Sequence, residues 1–217
     1  MFKKLTDREI DVILEAGIDE FAQNGLDKAN MHQIAAKSGV SVGVLYKYYK
    51  NKDDFFEACL RHCLAVLDAV IREVLSGDDK ILVRAEKLIR ALQKSAKEQP
   101  NYNVLYHEIT SGSCRKYAPV FAKEIESISS ATYSAFLTQA QVDGDIRTDA
   151  DPRLFAFFFD NLLMMLQFSY SCDYYRERFK IYCGDDVLID DEKVVSELLK
   201  FFESAFTLER KQIAHRN

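Results

Sequence analysis

The chain has 217 residues, with 29 basic against 34 acidic side chains and 48% hydrophobic residues. That length suits one large domain or two small ones, with enough apolar material for a substantial core. Only 8 glycines and 3 prolines interrupt it, which excludes a many-turned β fold and predicts long helices.

The opening MFKKLTDREI is charged and then amphipathic, so no secretory leader is expected. The longest apolar stretch, around Leu154–Leu166, is broken by Asp160 and Asn161 and is too short to span a bilayer. With no targeting feature, the expected location is the cytoplasm. The five cysteines, Cys59, Cys63, Cys114, Cys172 and Cys183, contain no CxxC pair and are expected to be reduced. Cys59 and Cys63 lie four apart, with His62 beside them in sequence. No further ligand is spaced to complete a tetrahedron, so two buried thiols are expected there.

Thr6 and Glu9 form a capping box that starts the first helix. Ile10, Ile13, Leu14, Ile18, Phe21 and Ala22 recur along it at helical spacing, and Gly25 should stop it. Asn30 can cap a short helix over 31–37. Ser38–Gly39–Val40 then breaks the chain, and Gly39 can take the positive φ of a tight corner. Ser41 is placed to cap a second short helix over 42–49. Two short helices around a glycine-containing turn are a helix-turn-helix pattern. Val40 and Leu45 fill the space between them, while Val42, Gly43, Tyr46, Lys47 and Lys50 face outward. Lys28, Lys37, Lys47, Lys50 and Lys52 fall in a stretch without Asp or Glu, a basic footprint in an acidic chain.

Asp53 and Asp54 suit the positive end of a helix running to about Leu75. Its inward residues are Phe55, Phe56, Cys59, Leu60, Cys63, Leu67, Val70 and Ile71. Ser76–Gly77–Asp78 closes it. A helix over 79–98 follows, with Ile81, Ala85, Leu88, Ile89 and Leu92 as its stripe, ended by Pro100. Residues 101–112 form a short helix, broken at Ser111–Gly112–Ser113. Pro119 opens a helix carrying Val120, Phe121, Ile125, Ile128, Tyr133, Phe136 and Leu137. Asp151–Pro152 starts a nearly all-round apolar helix over 152–175 that should be buried on several sides. Residues 177–190 read as a polar loop. The last helix, over 191–210, has two adjacent apolar stripes, and the tail KQIAHRN should fray.

The stretch IAAKSGVSVGVLYKYYKNKDDFF resembles the DNA-binding signature of TetR-type transcriptional regulators. The shared features are the Gly-Val-Ser turn, the Leu-Tyr-x-Tyr-aromatic run, and a lysine with an acidic pair opening the next helix. The resemblance implies an all-α fold. Residues 1–52 would be a three-helix DNA-binding unit, and 53–217 a helical ligand-binding and dimerisation bundle, with about nine helices in all. It places Tyr46, Lys47, Tyr48 and Lys52 at phosphate-contacting positions. Their phenols and ammonium groups suit that task. Helix N-termini near Asn30 and Lys52 offer further N–H groups. Ser41, Val42, Gly43 and Val44 open the recognition helix and should lie nearest the base edges. Many family members carry Lys or Arg where this chain has Val42, so readout here would use apolar contact with thymine methyls.

Tyr102, Tyr106, Phe136, Phe155, Phe158, Met165, Phe168 and Tyr170 form a dense aromatic and apolar set. The resemblance implies that such residues line an effector cavity, and an ordinary packed core is the alternative. His107 and Glu108 read as surface residues, or else as a polar anchor for the ligand. The helices over 151–176 and 191–210 carry more apolar surface than one chain buries. They are expected to pair across a two-fold axis, as a homodimer on an inverted-repeat operator in duplex DNA. Only four histidines exist, and there is no GxSxG, phosphate loop, nucleotide fingerprint or metal spacing. No enzyme, cofactor, metal or membrane partner is therefore expected. The competing reading is a small-molecule carrier or an enzyme with an incidental helix-turn-helix.

Overall fold

The computed structural model describes residues 4–77, 79–109 and 112–206, apart from the side chains at 112, 113 and 128. Expectations for Asp78, Ser111, Ser113, the Ile128 side chain, the helix end at Arg210 and the tail lie outside the described residues. Among those described, the chain forms ten α-helices: α1 (Asp7–Lys28), α2 (Met31–Lys37), α3 (Val42–Tyr48), α4 (Lys52–Leu75), α5 (Ile81–Glu98), α6 (Pro100–Glu108), α7 (Ala118–Val142), α8 (Pro152–Ser171), α9 (Asp173–Cys183) and α10 (Asp191–Phe206). Short 3-10 turns cover Gly112–Tyr117 and Asp185–Leu188. The fold is all-α, as the scarcity of turn residues predicted. No helix among the described residues is long and apolar enough to cross a membrane.

Local chemistry starts and stops these helices. The Thr6–Glu9 capping box forms. Asn30, Asn51 and Asp151 accept backbone N–H groups at the starts of α2, α4 and α8. Pro100, Pro119 and Pro152 each occupy a first turn, where no N–H is needed. Gly25 takes φ 68° and breaks α1 as expected, yet one further turn follows it. Leu26, 3% exposed, anchors that turn, and the Ala29 N–H bonds back to the Gly25 carbonyl.

Two hydrophobic cores are stacked along the molecule, and α4 runs through both. The first joins α1–α3 and the N-terminal half of α4 to Tyr102, Leu105, Tyr117 and Phe121. The second joins Ile71 of α4 to α5, α7, α8 and α10. α1 and α4 meet at Gly17. A Cβ added there would lie 2.5 Å from Phe55 Cε1 and 2.7 Å from Cys59 Sγ. Both are fully buried, so neither can swing away. Gly17→Ala should cost about 1–3 kcal/mol by overpacking, read as a lowered urea midpoint with an unchanged m-value.

Two expectations need correction. Residues 177–183, expected as loop, belong to helix α9. None of its residues is fully buried; Tyr175 packs on Phe168, Phe179 lies against the second core, and Arg176–Asp173 and Lys180–Glu177 pairs brace the helix. α8 accordingly ends at Ser171, where Cys172 turns extended (φ −109°, ψ 131°). Leu154, Phe157 and Phe158 of α8 are 58%, 61% and 60% exposed.

Candidate nucleic-acid interface and effector cleft

The helix-turn-helix is built on a rigid base. Gly39 has φ 71° at the corner between α2 and α3, and the Val40 N–H bonds back to the Ala35 carbonyl. Leu45 is fully buried, and Val40, Val42 and Tyr49 pack against the same core. Tyr49 stacks on Phe55 at 4.7 Å between ring centroids, and burial pushes its phenol up to about 12. It is a packing residue.

Glu20 holds this unit together. It lies on the inner stripe of α1 and is 2% exposed. Its carboxylate accepts from Asn24 Nδ2 (3.0 Å), the Asn30 backbone N–H (3.1 Å) and Lys37 Nζ (3.3 Å). One buried acid thus ties α1, the α1–α2 link and α2. Sequence reasoning passed over it, although an acid on an apolar stripe is a visible anomaly.

The expected DNA-facing residues fall into two groups. Ser41, Gly43, Tyr46 and Lys47 are exposed along one side of α3, with Val42 and Val44 half-buried beside them. Asn30 is exposed at the start of α2 and spends its Oδ1 on the His32 N–H. Ser41 sits at the N-cap of α3, but its side chain makes no capping bond. The expectation that it caps with its hydroxyl is therefore corrected. Tyr48 and Lys52 are partly committed to the fold. The Tyr48 hydroxyl accepts from the Leu5 N–H at 2.8 Å. Lys52 Nζ donates to the carbonyls of Asp27 (2.8 Å) and Ala29 (3.3 Å). Long-range ties of this kind leave no local trace in the sequence.

The expected effector residues do not converge on one cavity. The Tyr102 hydroxyl donates to Glu15 on α1, with its ring edge-on to His62. Tyr106 donates to Glu126 (2.9 Å) and packs on Phe168, which also touches His107 and Tyr175. Phe136 lies against Phe159 and under the Arg84 guanidinium. The Tyr170 hydroxyl accepts from Gln93 at 2.7 Å. Phe155 packs on Phe206, Phe158 is exposed, and Met165 lines a groove between α8, α9 and α10. Much of the aromatic density is thus spent ring on ring, while Met165 lines one groove and Phe155 and Phe158 another.

Concave sites also flank α4 and α10. A cleft of about 270 Å³ opens between α4 and α7, walled by Leu64, Leu67, Ile71 and Ile125. A shallow groove of about 370 Å³ runs between α8 and α10, past Phe158, Leu162 and Phe201. Cys59 and Cys63 are buried, and burial pushes both thiols well up, as expected of inert core cysteines.

An exposed second helix on a packed three-helix base is a helix-turn-helix unit, and a helical bundle follows it. Residues 13–59 match the family model of the bacterial regulatory proteins of the tetR family. This chain is 29% identical over 101 residues to a probable acrEF/envCD operon repressor of Escherichia coli K12, a match covering 44% of this chain and 46% of the relative. The chain thus spans about half the length of that relative. The fold extends further than the sequence likeness. FadR of Bacillus subtilis in complex with stearoyl-CoA superposes with a TM-score of 0.67 at 18% identity, covering 88% of this chain and 97% of that one. AibR in complex with isovaleryl coenzyme A and operator DNA superposes with a TM-score of 0.61 at 16% identity, covering 89% and 97%.

Proposed function

We propose that this chain is a DNA-binding transcriptional repressor, acting as a homodimer on an inverted-repeat operator and released by a small molecule with an apolar body. The observation that carries the reading is the outer side of α3, where Ser41, Gly43, Tyr46 and Lys47 stand exposed on a base that Glu20 and Leu45 hold rigid. Residues 1–52 are the DNA-binding unit and 53–217 the effector and dimerisation bundle. Ser41, Val42, Gly43 and Val44 lie nearest the bases; Asn30, Tyr46, Lys47, Tyr48 and Lys52 serve the phosphates. For Tyr48 and Lys52 the service is largely to fix the unit. The relatives bound to acyl-coenzyme A species and to operator DNA support the same division of labour.

The effector seat is the cleft between α4 and α7, because both of its helices pass through both cores and α4 continues from the DNA-binding unit. A ligand that wedges these helices apart tilts α4 and with it α3. Coupling of this kind is typically about 1–3 kcal/mol and reciprocal, so operator DNA must weaken effector binding by the same factor.

Lys47→Ala should weaken binding to all duplexes alike and lower the salt slope of log K by about 1. Filter binding at several salt concentrations reads both. An unchanged slope with an altered preferred sequence contradicts the phosphate role.

The dimer face is the α8–α10 groove. Phe201 is 57% exposed, whereas Phe202 is 2% exposed and stacks on Phe206 inside the protomer. Of the two adjacent stripes on α10, one is therefore internal and one is free to meet a second copy. Phe201→Glu should yield a folded monomer by sedimentation, whereas Phe202→Glu should unfold the chain. A Phe201→Glu protein that remains dimeric removes this face from the interface.

A further inference from the structure

The cleft between α4 and α7 contains one guanidinium among its lining residues, that of Arg61, opposed by the carboxylates of Asp68 and Glu124. These three charges are not equally fixed. Arg61 Nε and Nη2 donate to Glu124 Oε2 and Oε1 at 3.1 and 3.2 Å, a two-pronged pair that crosses the cleft from α4 to α7. Arg61 is also held twice more. Its Nη1 donates to Glu57 Oε2 at 3.2 Å, one turn back on α4, and its Cζ lies 5.2 Å from the centroid of the Phe121 ring. Glu124 is 44% exposed and, among the described residues, pairs with Arg61. Asp68 is bound to Arg72 on its own helix at 2.7 Å.

The consequence is a fixed cation and a replaceable anion. If Glu124 leaves, Glu57 and Phe121 keep the guanidinium in place, and Glu124 rehydrates at the surface. An exposed ion pair contributes little to stability, so the exchange costs little. The guanidinium fork fits carboxylate and phosphate oxygens equally well. Behind it the walls are apolar: Leu64, Leu67, Ile71 and Ile125.

We propose that this cleft takes an anionic amphiphile, whose carboxylate or phosphate replaces Glu124 on Arg61 while its chain lies along the apolar walls between α4 and α7. This names the effector class and rests on the regulatory reading above. Entry breaks the ion pair that clips α4 to α7, so the head group that confers affinity also frees the helix that carries the signal.

The test uses the full chain and four ten-carbon probes below their micellar concentrations: decanoate, decyl phosphate, decanol and decyltrimethylammonium. Titration calorimetry should show one or both anions binding at least about tenfold more tightly than decanol or the cation, the scale of one charge-assisted contact. Arg61→Gln should erase that preference, and Arg61→Lys should keep part of it. Glu124→Gln should tighten whichever anion binds several-fold, by removing its competitor. Equal binding of decanol, preference for the cation, anion selectivity surviving in Arg61→Gln, or no binding of any probe by the folded protein each overturns the proposal. Decanoate binding without decyl phosphate binding, or the reverse, identifies the head group and supports it. Salt-dependent retention of the unmodified protein on duplex DNA is measured in parallel. DNA binding without anion preference removes only the effector class, whereas anion binding without DNA retention removes only the regulatory reading.

Discussion

Glu20→Ala should lower the stability of the chain by about 3 kcal/mol and weaken DNA binding at the same time. Three donors converge on this carboxylate, and it is 2% exposed. Hydrogen bonds to a charged group contribute about 1.5–3 kcal/mol each. Two of the three donors can recover part of this from water, because Asn30 is exposed and Lys37 is 46% exposed. The net loss is therefore well below the sum of three bonds. For a chain of this size it amounts to a fall in Tm on the order of 10 °C. Glu20→Gln retains an acceptor for the Asn30 N–H but loses the charge facing Lys37, so it should fall between the two. Calorimetry gives the stabilities, and filter binding well below each Tm gives the DNA effect. An Ala variant as stable as the unmodified protein would show that these bonds do not hold α1 to α2.

Asp160→Asn should stabilise the protein at neutral pH by about 2 kcal/mol, an effect that fades in acid. Burial raises the Asp160 carboxyl from 3.8 to about 6, and the nearby Glu126 carboxylate adds to the rise. A carboxyl whose folded pKa lies above its unfolded value binds its proton more tightly when folded. Its stabilising contribution is complete below about pH 4 and is lost as the pH rises through about 6. Above that, the folded chain holds a poorly solvated charge. Asparagine keeps the shape without the charge, so the benefit should be full at pH 7–8 and absent near pH 4. Urea midpoints across pH 4–8 for the two proteins test this. A constant difference at all pH values would mean that the gain comes from packing rather than charge.

The limits of sequence reading follow from what each feature depends on. The capping box at Thr6, the prolines at 100, 119 and 152, and Gly39 at the turn are local, so neighbours in sequence state them directly. The helix-turn-helix was legible for the same reason, since its turn, its core leucine and its outer face all lie within twenty-odd residues. α9 was missed because none of its residues is fully buried, Tyr175 and Phe179 packing only in part while charged pairs brace the rest. How the aromatic residues pair was not legible, because composition reveals that aromatics are abundant, not which of them face each other.

By itself the sequence determined an all-helical chain with a basic helix-turn-helix near its start, because periodicity, caps and turn glycines act over a few residues. Only the tertiary structure decided where the concave surfaces are and which charges are fixed. Glu20 meets Lys37, Lys52 meets Asp27, Arg61 meets Glu124, and the two stripes of α10 divide into an inner and an outer one. Each of these depends on side chains brought together from distant turns or separate helices, and on which face of a helix the packing leaves uncovered. Those relations are set by the balance of burial across the whole molecule, and no short window of the sequence contains it.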